Sequence, residues 1–130
     1  MRRIASVLIL AFVAGCGDPD AEPEAPATLQ EIEAEVFAKS CAFSTCHKGA
    51  SPAGGIALDG PTYDVLVGKE SVGAPGRILV VPGDPAASYV YEKLTQEKPA
   101  NGTQMPPTAP LGAARLEMIK SWIEAGAKND

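Results

Sequence analysis

Two thiols and the only histidine of the chain stand within seven consecutive residues, Cys41-Ala42-Phe43-Ser44-Thr45-Cys46-His47. This spacing constrains the fold strongly. On an ideal helix three residues turn through about 300° and return nearly to the same face, whereas five turn through about 500°. A regular helix therefore cannot present both sulfurs together, and the residues between them have to loop out. Two thiolates and one imidazole leave a tetrahedral zinc site one ligand short. A thioredoxin-like dithiol needs C-x-x-C spacing in a βαβ setting, and neither is present. A Cys41–Cys46 disulfide closing a small loop remains open, since Arg2, Arg3 and the apolar run Ile4–Ala14 read as a signal for export to an oxidising compartment.

The other reading is covalent haem attachment. Two thiols add to the porphyrin vinyl groups and the imidazole that follows, His47, becomes the proximal iron ligand. The common form is C-x-x-C-H, and here the spacer is two residues longer. Met105-Pro106-Pro107 follows His47 by 58 residues, in a stretch without helical periodicity. A neutral thioether is a soft ligand suited to low-spin haem iron, and prolines stiffen the loop that carries it. Met118 is the competing methionine, but it sits within a helical pattern and reads as packing.

The remaining pattern is mainly helical. Thr28-Leu29-Gln30-Glu31 fits a capping box, and Leu29, Ile32, Val36 and Phe37 share one face of a helix predicted to reach about Cys41. A short helix is expected at Pro61–Val67 with Pro61 in its first turn. An extended piece is expected over Arg77–Val81, and a helix from Asp84-Pro85 to Leu94. Thr95–Pro110 reads as a constrained loop. A last helix spans about Ala113–Ala125, with Leu116, Ile119 and Ile123 in its stripe, Trp122 beside it and Gly126 as its stop. The tail Lys128–Asp130 has little to bury.

This order of features resembles a class I c-type cytochrome over about Thr28–Ala127. More closely it resembles small cytochrome c-like domains of exported bacterial proteins, through Val81-Pro82-Gly83-Asp84-Pro85, Ser88-Tyr89, Lys93-Leu94, Met105-Pro106 and Ile119-Lys120-Ser121-Trp122-Ile123 before Gly126-Ala127. The resemblance implies a mainly α, cytochrome c-like small helical domain with long loops, and one covalent haem c. Cys41 and Cys46 would be its thioether anchors, His47 the proximal ligand and Met105 the distal ligand. It also makes Pro52 the candidate carbonyl partner for the second ring nitrogen of His47. Tyr63, Tyr89, Tyr91 and Trp122 read first as core.

The first residues are an address. Arg2 and Arg3 precede an apolar run, Ile4–Ala14, too short to span a bilayer. Val13-Ala14-Gly15-Cys16 looks like a bacterial lipobox, so residues 1–15 read as a signal peptide and Cys16 as the lipidated residue. Residues 16–27 then form an acidic, proline-rich tether and 28–130 the domain. In lipoproteins of this kind an aspartate after the cysteine marks inner-membrane retention. Gly17 there favours the outer membrane, at its periplasmic face or the cell surface.

Composition narrows the partners. A chain of 130 residues with net charge −5 excludes two ordinary domains and gives no basic surface for nucleic acid. Without Arg2 and Arg3 there remain 9 basic and 16 acidic residues, a formal −7. Redox partner proteins with basic patches are therefore expected, along with a membrane reached through the lipid. No paired carboxylates or activated nucleophile are visible, so the chain reads as an electron carrier and not an enzyme. The alternative is a haem-free lipoprotein interaction module of the same fold, with Cys41 and Cys46 in a disulfide. Aromatic residues are only 5% of the chain, and a haem would supply the large apolar body that they do not.

Overall fold

Thr28 starts the folded chain by capping it. Its hydroxyl accepts from the Glu31 amide at 3.2 Å, and the Glu31 carboxylate accepts from the Thr28 amide at 2.8 Å. The pair satisfies donors that a helix start otherwise leaves open. A computed structural model describes residues 25–130; the signal segment, Cys16 and the tether up to residue 24 lie outside the described residues. The helix runs as α1 (Leu29–Ile32), a π-helical turn (Glu33–Phe37) and α2 (Ala38–Ser40), three pieces of one rod. Leu29, Ile32, Val36 and Phe37 are all buried, so the predicted apolar face persists through the wider turn.

The 3-10 turn Ala53–Gly55 follows, and then α3 (Tyr63–Leu66), α4 (Tyr89–Thr95) and α5 (Ala113–Glu124). Both intermediate helices begin later than the sequence pattern predicts. Pro61 lies ahead of α3, and Thr62 takes the N-cap position, with its hydroxyl donating to Glu33 Oε1 at 2.7 Å and its amide at 3.1 Å. Asp84 caps only a single turn, accepting from the Ala87 amide at 3.0 Å. The buried Ser88 then interrupts the run, because its hydroxyl donates to the Asp84 carbonyl at 2.7 Å and accepts from the Val81 amide at 2.9 Å. Helix α4 therefore starts at Tyr89.

Helix α5 contacts both α1 and α4. Ile119, Trp122 and Ile123 are its buried residues, while Leu116 is half-buried. Trp122 is 2% exposed, and its indole N–H donates to the Lys128 carbonyl at 2.8 Å. Gly126, at φ 100°, ends the helix as expected, since that backbone region carries no steric cost for glycine.

The tail has more to do than its polarity suggests. Asp130 accepts from the Leu29 amide through Oδ1 and from the Gln30 amide through its main-chain oxygen, each at 3.0 Å. Negative charge at the start of α1 is also favourable to the helix dipole. The Ala27 amide meets Ser121 Oγ at 3.3 Å, so both ends of the domain are fastened at the α1–α5 junction.

The architecture is mainly helical, as expected. No strand forms among the described residues, and the β-branched run makes only isolated bridges, Val67 with Val80 and Glu70 with Ile78. The core joins Leu29, Ile32, Val36 and Phe37 to Leu66, Val80, Tyr89, Leu94, Ile119, Trp122 and Ile123. Every helical segment except the short α2 and the 3-10 turn contributes to it.

Candidate haem-binding site

The rod ends at Ser40 and the chain turns at once. The Cys41 and Ala42 amides both donate to the Phe37 carbonyl, at 2.9 and 2.8 Å. The Cys41 carbonyl then accepts from Phe43 at 2.9 Å and from His47 at 3.2 Å, and the Cys46 amide donates to Phe43 at 2.9 Å. Residues 42–46 are thus closed off outside the helix, which is the looping that a five-residue offset requires. Phe43 projects from this loop and is 50% exposed.

Cys41 and Cys46 are free, half-buried cysteines. Burial pushes the Cys41 thiol up to about 11; Cys46 adds to that shift and Arg115 opposes it. Arg115 arrives from α5 and donates to Ser40 Oγ at 3.0 Å, where a cation also complements the end of a helix.

His47 is half-buried, with Nδ1 3.0 Å from the Ile56 carbonyl. A carbonyl only accepts, so Nδ1 carries the proton and donates, leaving the Nε2 lone pair for a metal. The partner expected from the resemblance was Pro52. Gly54 and Gly55, at φ 62° and 72°, turn the chain between the two and bring Ile56 to the ring instead. The enclosure is completed by the Ala53 amide on the Cys46 carbonyl at 2.8 Å and the Leu58 amide on the His47 carbonyl at 2.7 Å.

Met105 comes from the loop after α4. It is half-buried against the core, and its amide donates to the Lys93 carbonyl at 2.7 Å. Met118 packs on the core from α5. Tyr89 and Trp122 are buried core residues, while Tyr63 and Tyr91 are half-buried beside the core. Cys41, Cys46 and His47 thus share one turn, and Met105 is carried by a separate segment. Half-buried apolar side chains on the core include Cys41, Ile56, Leu58 and Met105, so both segments contribute to its apolar margin.

This donor set fits haem c: two free thiols in one turn, an imidazole with Nε2 available, and a thioether at an apolar margin. Sequence reasoning missed Ile56 and Arg115, and it reached Lys93 only as part of the resemblance, not through its bonds to the Met105 loop. Arg115 carried no local signal, because its partner Ser40 is 75 residues away.

A small helical domain built on such a turn belongs to the cytochrome c-like class. A family model described as Planctomycete cytochrome C matches residues 44–109, just over half of the chain, and the chain belongs to this family. The matched segment includes Cys46, His47 and Met105, and begins three residues after Cys41. No curated protein and no solved structure gives a match. Membership implies a haem-binding electron-carrier domain with covalently bound haem c, and the haem-free disulfide module is not favoured.

Proposed function

We propose that this chain is a monohaem c-type cytochrome that carries single electrons between redox partners at the cell envelope, anchored by lipid on Cys16. The observation that supports it most is the closed Cys41–His47 turn, which carries two free thiols and has His47 Nδ1 occupied by the Ile56 carbonyl. In this reading Cys41 and Cys46 anchor the porphyrin, His47 is the proximal ligand and Met105 the distal one. Haem c, once bound, supplies a one-electron iron couple, and His/Met ligation favours a comparatively high potential. If His47 and Met105 both bind the iron, they would leave it no site for a substrate, and the chain would work as a carrier and not a catalyst.

The lipobox and Gly17 support anchoring in the outer membrane, at its periplasmic face or the cell surface, in preference to the inner membrane. The formal charge of −7 after loss of Arg2 and Arg3 supports partners with basic patches, met in transient, salt-sensitive encounters. Export of the full chain in a host with intact haem-maturation machinery tests the reading. A Soret band that stays with the protein through acid-acetone extraction is the expected result. Colourless protein from the same host overturns it.

A further inference from the structure

The loop that delivers Met105 has little apolar burial of its own. From Thr95 to Thr103 only Pro99 is buried. Its order comes from hydrogen bonds made by α4. The Lys93 ammonium donates to the Asn101 carbonyl at 2.9 Å and also to the Thr103 carbonyl. The Lys93 carbonyl accepts from the Met105 amide at 2.7 Å. One residue thus holds positions 101, 103 and 105 in turn.

The loop is shaped around that ammonium. Gly102 lies between the two bound carbonyls at φ 69°, and a Cβ there would come to 3.4 Å from Lys93 Nζ. Neighbouring groups brace the same stretch. Tyr89 Oη donates to the Asn101 carbonyl at 3.1 Å, Glu92 accepts from the Ala100 amide at 2.6 Å, and Gln104 Nε2 donates to the Leu94 carbonyl at 2.9 Å. Asn101 Nδ2 reaches the Gly73 carbonyl. The two residues after Met105 are prolines and have no N–H to give, so the nearest main-chain restraint lies on the N-terminal side.

We infer that Lys93 is the positioning residue for Met105, holding the thioether ready for iron by fixing the loop that precedes it. This rests on the reading of Met105 as distal ligand. The ammonium touches no ligand atom. It acts through two carbonyls, and its loss frees the segment leading to the sulfur.

The test uses the haem-loaded full chain, with imidazole as the probe that competes with the thioether for ferric iron. Lys93→Ala is expected to bind imidazole about tenfold more tightly than the unaltered protein, the scale of losing charge-assisted hydrogen bonds at a partly exposed site. It should also weaken the long-wavelength sulfur-to-iron absorption of the ferric state, and Lys93→Arg should restore both. Gly102→Ala, strained at φ 69° between the two bound carbonyls, should shift imidazole affinity in the same direction. Unchanged imidazole affinity in Lys93→Ala overturns the inference. Met105→Ala separates the two claims: if it leaves absorption and imidazole affinity unchanged, the distal assignment itself fails. If Met105→Ala changes both while Lys93→Ala changes neither, only the positioning role falls.

Discussion

The segments carrying His47 and Met105 are ordered in opposite ways. Residues 41–47 are closed mainly by main-chain bonds, among themselves and to the nearby Phe37, Ala53 and Leu58, with one carbonyl, that of Cys41, receiving two amides of the same turn. Residues 100–105 take their bonds from elsewhere, through the side chains of Tyr89, Glu92 and Lys93, and Asn101 reaches out to Gly73. On the reading proposed above, the difference follows the bonds each segment makes. Two thioether links fix the first once formed, so a local turn is enough. A sulfur that only coordinates can leave, and its loop has to be held by groups outside it.

Three substitutions break or sharpen that contrast. His47→Ala has the largest expected effect. It removes the proximal nitrogen from the self-closed turn, and covalently pigmented protein should fall to background when haem staining is compared with total protein. Pigment at the unaltered level would deny His47 its role.

Glu92→Ala comes next and acts on the other segment. Glu92 is 15% exposed, paired with Arg77 and bonded to the Ala100 amide. Removing it should cost about 1–3 kcal/mol. Amide hydrogen exchange at 100–105 should quicken, while exchange at Cys46 and His47 stays unchanged. Equal acceleration in both segments would show that they are not independently held.

Thr28→Ala is the smallest, about 1 kcal/mol from the lost cap. It lies at the far end of the rod from Cys41, so it should lower the denaturation midpoint without preference for either segment. A selective loss at one of them would mean that the rod transmits strain.

What the sequence made legible divides along the same line. The capping box at Thr28, the face formed by Leu29, Ile32, Val36 and Phe37, and the stop at Gly126 depend on neighbours within a turn or two, where periodicity speaks directly. The crowded Cys41–His47 segment announced its own looping, because a five-residue offset is incompatible with a regular helix. Helix α4 starts later than its local signal because Asp84-Pro85 is a sound start that Ser88 overrides, through bonds to Asp84 and Val81. Ile56 displaced Pro52 as the histidine's partner because two glycines redirect the chain between them. The support under Met105 was invisible for a simpler reason. It depends on carbonyls and amides, which every residue has, meeting a lysine 8 to 10 residues earlier.

The fastening of Ala27 to Ser121, and of Leu29 and Gln30 to Asp130, makes a single corner through which polypeptide enters and leaves. The Cys41 turn lies at the opposite end of the twelve-residue rod. Anything attached at that corner, a lipid leash or a neighbouring domain, would grip the molecule like a handle and leave the cysteine-bearing end facing outward.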